Sequence, residues 1–268
     1  LTDGFTLHPL PFTLKIMYSN DDFSVLDLDA EFESPLDHLD AIEADSTVPQ
    51  LDPEEMLALL TSASVQQRMI AARAFCELQE SRAIPALIQL LLDACPLVRV
   101  SAAYALGRNP SPDAVEPLIQ QYNRDWNGYV RKGIVWALGN CRDGRALATL
   151  LDAVKTDISA VRLWAASALA QMSSIGYESI LKALPPLIEA LRGDLVAAVR
   201  SNCAWSIGEL CRDLPANVVY ATAVDALIEA FAEDPDLSVR EDAKAAMLKL
   251  GDPRGLQVIE NLEEEGWV

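Results

Sequence analysis

From about residue 53 onward, apolar residues recur at three- and four-residue steps, the spacing that places side chains on one face of an α-helix. The steps form a phrase that recurs six times. It runs Gln67-Arg68-Met69-Ile70-Ala71-Ala72-Arg73-Ala74-Phe75, then Val98-Arg99 to Gly107, Val130-Arg131 to Gly139, Val161-Arg162 to Leu169, Val199-Arg200 to Gly208 and Val239-Arg240 to Leu248. Successive arginines lie 31, 32, 31, 38 and 40 residues apart. Each phrase predicts a helix whose small residues let its neighbours approach closely. Another helix is expected ahead of five of them, at Ile84 to Leu91, Ala114 to Ile119, Ala146 to Leu151, Leu184 to Ile188 and Ala223 to Ile228. Pro85, Pro117 and Pro186 are expected near the starts of these helices, where a missing N–H costs little.

Such a hairpin cannot bury its apolar face alone, so consecutive units must stack. The expected fold is all-α, a right-handed α-α superhelix of six hairpins from about Pro53 to Leu250. A last helix from Pro253 to Glu265 is expected to cap it, and extra residues at Ser173 to Ser179 predict a longer helix or loop in the fifth unit. An Asp stands five or six residues before the repeated Arg in five units (Asp93, Asp125, Asp157, Asp194, Asp234), with Ser62 in that place before Arg68. The acid can cap the second helix, and the Arg can bridge to it or to the next unit's Asp. This reads as a structural ladder and not as a site.

The phrase D-x(4,5)-V-R-x-x-A-A-x-A-L-G resembles HEAT repeats, in the subclass of the phycobilisome lyase subunits, over residues 53 to 265. The stretch from Asn123 to Asp143 is also similar to cyanobacterial HEAT-repeat proteins that pair with an A-type iron–sulfur cluster scaffold. The resemblance implies an armadillo-like solenoid and a protein partner, either an iron–sulfur carrier or a phycobiliprotein. It further implies two possible bound groups, a cluster shared with the partner or a transient bilin.

In solenoids of paired helices the second helices line the concave face. Five residues after the repeated Arg stand Arg73, Tyr104, Trp136, Ser167, Trp205 and Ala245, and Trp164 shares the helix face of Ser167. Farther along come Arg108, Asn140 and Glu209. A Trp on a helix is most often core. A position that also accepts Arg73 is instead expected to be exposed, so Arg73, Tyr104, Arg108, Trp136, Asn140, Trp164, Trp205 and Glu209 are the candidate partner-binding groove.

The chain's 268 residues and 51% hydrophobic content suffice for a sizeable core. The formal charge of -19 argues against nucleic acid as a partner. That charge is uneven: residues 60 to 170 hold nine acids and twelve bases, and residues 171 to 268 hold seventeen acids and eight bases. No apolar run is long enough for a membrane span, and a cytoplasmic location is expected. Five cysteines without a CxxC pair indicate reduced thiols. Cys76 and Cys203 fill small-residue slots of the phrase. Cys141 and Cys211, each followed by Arg, are candidate thiolates and the weak candidates for a shared cluster.

Both histidines, His8 and His38, precede the repeats, which excludes the paired His-Glu irons of HEAT-repeat deoxyhypusine hydroxylases. No catalytic residue set is evident on the repeats, so the expected role is a non-catalytic scaffold or chaperone. The alternative is a bilin lyase acting on phycobiliproteins, with the client supplying the thiol. Residues 1–16 read as upstream residues and 17–52 as an acidic, disordered leader, with eleven acids and no base from Tyr18 to Asp52. The leader either solubilises the chain or docks on a basic groove such as Arg73, Arg108, Arg131 and Lys132. Residues 53–268 form the solenoid.

Overall fold

The structure, a computed structural model, describes residues 52–212, 214–264 and 266. The expectations for residues 1–16, for the leader and for both histidines lie outside the described residues. The described chain runs through α1 (Pro53–Leu59), α2 (Val65–Ala74), α3 (Ile84–Leu90), α4 (Pro96–Arg108), α5 (Pro112–Arg124), α6 (Gly128–Cys141) and α7 (Leu147–Thr156). It continues through α8 (Ser159–Ala170), α9 (Tyr177–Gly193), α10 (Ala197–Cys211), α11 (Val218–Glu233), α12 (Leu237–Leu250) and α13 (Pro253–Glu264). Odd and even helices pair into six stacked hairpins, and α13 packs on α11 and α12 at the end. The described residues are all-α and form a repeat solenoid.

Local chemistry sets the helix starts. The side chains of Asp52, Ser111, Asn127, Asn217 and Asp236 accept backbone N–H groups at the starts of α1, α5, α6, α11 and α12. Proline opens α1, α3, α4 and α5. Two expected positions need correction. Pro117 lies inside α5, because Ser111-Pro112 starts that helix earlier. Pro186, with Pro185, lies inside α9, because a 3-10 turn at Gln171–Ile175 and Gly176, at φ +137, start that helix at Tyr177. The extra residues of the fifth unit thus become this turn and a 17-residue helix.

Seven residues after each repeated Arg stand Phe75, Leu106, Leu138, Leu169, Ile207 and Met247, all fully buried along the array. The even helices pack on one another more closely than the odd helices do. Small residues permit this: a Cβ built on Gly139 would lie 2.8 Å from Ala168 Cβ, and one on Gly208 2.8 Å from Ala246 Cβ. The tighter layer is the inner one, so the even helices form the concave side.

Five of the six repeated arginines pair forward, Arg240 being the exception. Arg68 meets Asp93, Arg99 meets Asp125, Arg131 meets Asp157, Arg162 meets Asp194 and Arg200 meets Asp234, at 2.6–2.7 Å. Each of these arginines also donates from Nη1 to a backbone carbonyl of its own turn, such as Asp93, Asp125, Asp157 or Asp194. The paired aspartates accept a backbone N–H one or two residues on. Burial alone would raise these five carboxyls; the guanidinium and amide donors outweigh it and hold them below the usual carboxylate range. The ladder therefore ties every turn to the next. Arg131 belongs to it and is not an available groove cation, which corrects that expectation.

Candidate protein-binding groove

The even helices carry the candidate column. Arg73 and Arg108 are exposed, and Tyr104, Trp136, Asn140, Trp164, Trp205 and Glu209 are half-buried. The helix repeat sets this: Arg73, Tyr104, Trp136 and Trp205 stand five positions, or about one and a half turns, past a ladder Arg, and Arg108, Asn140 and Glu209 stand one turn further on. Tyr104 of α4 and Trp136 of α6 meet across neighbouring units, with ring centroids 5.4 Å apart and planes at 47°. Gly107 makes this possible. The Trp136 ring fills the place of its missing side chain, with ring carbons 2.4 and 2.6 Å from where a Cβ would sit. Trp136 therefore packs against α4 with part of its surface open.

Positive charge flanks these rings. Lys132 Nζ sits 5.5 Å from the centroid of the Trp164 ring, a cation–π arrangement bridging α6 and α8. Arg108 Nε donates to the Cys76 carbonyl at 3.0 Å, which pins its stem while its surface stays open. Asn140 donates to the Gly107 carbonyl at 3.2 Å and so supports the glycine beneath Trp136. Burial raises the Tyr104 phenol above its ordinary range, so it is neutral at pH 7.

The other end of the column is different. Glu209 accepts from Lys249 and from Arg212, a closed ion-pair group beyond Trp205. Asn202 donates to Ser167 Oγ at 2.7 Å and fills the gap between Trp164 and Trp205. The sequence reading missed Asp242, which is half-buried, accepts from the Ser201 hydroxyl and is raised by burial. The available signal was its place two residues after Arg240, the register in which Trp164 follows Arg162. The face thus carries open cations near Tyr104 and paired or half-buried charges near Asp242.

The thiolate reading of Cys141 and Cys211 is corrected. Burial raises the Cys141 thiol, and the nearby cation that offsets it is Arg145, not Arg142. Cys211 is buried with no cation acting on it, and its thiol is pushed up to about 12. Burial also raises Cys76 and Cys203. These four thiols are protonated at neutral pH. Among the described residues no three His, Cys, Asp or Glu side chains gather where a metal ion would fit. No helix among them is long and apolar enough to cross a membrane.

Known proteins place this geometry in context. No curated protein matches the chain. Among solved structures it is similar to the complex of CpcE and CpcF of phycocyanin lyase from Nostoc sp. PCC7120, at 25% identity and TM-score 0.54, covering 82% of this chain and 85% of that one. A designed armadillo repeat protein in complex with the peptide (KR)4 is similar at 22% identity and TM-score 0.57, covering 74% and 98%. Kap95p, solved with RanGDP, is similar at 19% identity and TM-score 0.58, covering 80% of this chain and 34% of that one. The last two likenesses concern the fold alone. The model of HEAT repeats matches residues 53–132, 115–208 and 184–267. With that match spanning the six hairpins and α13, the chain belongs to the HEAT-repeat family.

Proposed function

We propose that the protein is a non-catalytic scaffold that holds a client protein on its concave face. One observation carries this reading: Tyr104, Trp136 and Trp164 form a half-open aromatic run over three consecutive units, with Arg108 and Lys132 beside it. Rings that are anchored yet partly open lose little conformational entropy on binding, and Trp and Tyr, with Arg, are enriched at the energetic centres of protein interfaces. Repeat solenoids use the inner helix layer in this way. The client we favour is an A-type iron–sulfur cluster assembly protein, on the resemblance of the Asn123 to Asp143 stretch. Any cluster would be ligated mainly by that client, because the thiols of Cys141 and Cys211 are held protonated.

The test is a binding titration of the full chain with a purified A-type scaffold protein, beside Trp136→Ala and Arg108→Gln. The reading expects saturable binding that both variants weaken. Absence of binding by the wild type would remove this client and leave the scaffold role to be tested with others.

A second reading has its own support. Likeness to the CpcE and CpcF complex favours a role with a bilin, whose propionates would meet Arg73 or Arg108 while the Trp136 and Trp164 faces stack on its pyrroles. Phycocyanobilin mixed with the protein would then change its visible spectrum. An unchanged spectrum would sink that reading.

A further inference from the structure

A second surface lies along the edge formed by the turns between odd and even helices. Leu97, Trp126, Tyr129, Ile158 and Leu195 stand there, 61, 78, 72, 49 and 96% exposed. Each is tied to the ladder: Leu97 precedes Arg99 by two residues, Trp126 follows Asp125, Tyr129 precedes Arg131 by two, Ile158 follows Asp157 and Leu195 follows Asp194. The ladder bonds of 2.6–2.7 Å link turn to turn and so hold the four turns that carry these side chains in one row. At its centre one side chain bridges two turns. Ile158 Cδ1 lies 2.4 Å from where a Cβ on Gly128 would be, so this side chain crosses the turn that bears Trp126 and Tyr129.

Two features of the row bear on its occupant. The charges beneath it are matched one against one by the ladder, so the row presents apolar surface over a neutralised base. Large aromatic side chains carry roughly 150–250 Å² each, so the five side chains expose on the order of 600 Å² of surface. That reaches the upper end of the largest patch on an ordinary monomer, about 300–600 Å². It also supplies most of the roughly 800 Å² that each partner gives a standard interface.

We propose that this edge is a homodimer interface, with a second copy laying the same row antiparallel across a two-fold axis near Gly128 and Ile158. A two-fold interface must be self-complementary, and an apolar row over a neutralised ladder meets that condition. Long-range charge opposes the association, because two chains of formal charge -19 repel. The dimer therefore strengthens with salt, which screens that repulsion, whereas an interface built on intermolecular salt bridges weakens. The concave column lies past the first turns of the even helices and stays available to a client.

Sedimentation equilibrium of the full chain at low and high salt tests this. The wild type is expected to be dimeric, more tightly at high salt. Trp126→Ser with Tyr129→Ser, and separately Leu195→Ser, are expected to raise the dimer dissociation constant, the first pair at least about tenfold. Because these side chains are exposed on the protomer, helix content should not change in either variant, nor should melting temperature at concentrations where wild type and variant are both monomeric. A wild type that stays monomeric at all concentrations, a dimer indifferent to both variants, or one that weakens with salt would overturn the proposal. Trp136→Ala should leave the dimer intact, so this inference and the groove reading can fail separately.

Discussion

The Arg–Asp ladder and the aromatic column run along the same even helices only five residues apart, yet one is closed and the other open. Arg99 gives its Nε and Nη2 to Asp125 and its Nη1 to the carbonyls of Asp93 and Ala94, and Asp125 also accepts from Gln121 and Asn127. Arg108, on the same helix, makes one backbone bond and otherwise faces outward. Arginine alone therefore says nothing about role. A guanidinium whose donors are all engaged holds turns together, and one left largely open beside half-buried rings can be engaged by another molecule.

The largest effect expected from breaking this contrast is on the closed side. Arg99→Ala leaves the buried Asp125 carboxylate without its cation and should cost about 3–5 kcal/mol in denaturant unfolding. Arg108→Gln, the matched change on the open side, should move stability by no more than about 0.5 kcal/mol.

Acid should act on the ladder in the same sense. The five ladder carboxyls have folded-state values below the unfolded value near 4, so their stabilisation is fully present above that pH. It is lost as pH falls through their folded values. Circular dichroism against pH should show no ladder-driven loss above about pH 4 and a steep one below.

Gly139→Ala sharpens the contrast within the helix layer. The added methyl meets Ala168 Cα at 2.9 Å, a backbone atom that cannot step aside, and should destabilise by about 1–3 kcal/mol. The smallest effect belongs to Asp242. Its folded value is raised by burial, so at neutral pH its charge opposes folding, and Asp242→Asn should raise the melting temperature slightly at pH 7 and not at pH 3.

Much of this was legible in the residues. The six phrases and their spacing define six hairpins, because the apolar stripe of each unit has no other way to be covered. The ladder was legible as a pair of residue types but not as a pairing: Arg99, Arg131, Arg162 and Arg200 each have an acid five or six residues behind and another in the next turn, and only the geometry of the stacked turns selects the forward one. Pro117 and Pro186 were misplaced because the stronger start signals, Ser111-Pro112 and Gly176, lie farther upstream. The column was legible from the tolerance of one position for Arg73, Trp136 and Ala245. Its half-burial was not, because it depends on Trp136 lying in the space that Gly107 leaves open one unit earlier. The apolar turn edge was hard to see because its residues fall at two registers, one past the ladder Asp (Trp126, Ile158, Leu195) and two before the Arg (Leu97, Tyr129), which the ladder brings to one edge.

The most direct test of the central claim is isothermal titration of a purified client into wild-type protein and Trp136→Ala, with the melting temperature of each recorded alongside. An open column predicts a dissociation constant raised about tenfold or more with little change in melting temperature. Unchanged affinity, or a melting temperature that falls as far as it does for Arg99→Ala, would show that Trp136 serves packing and would contradict the account.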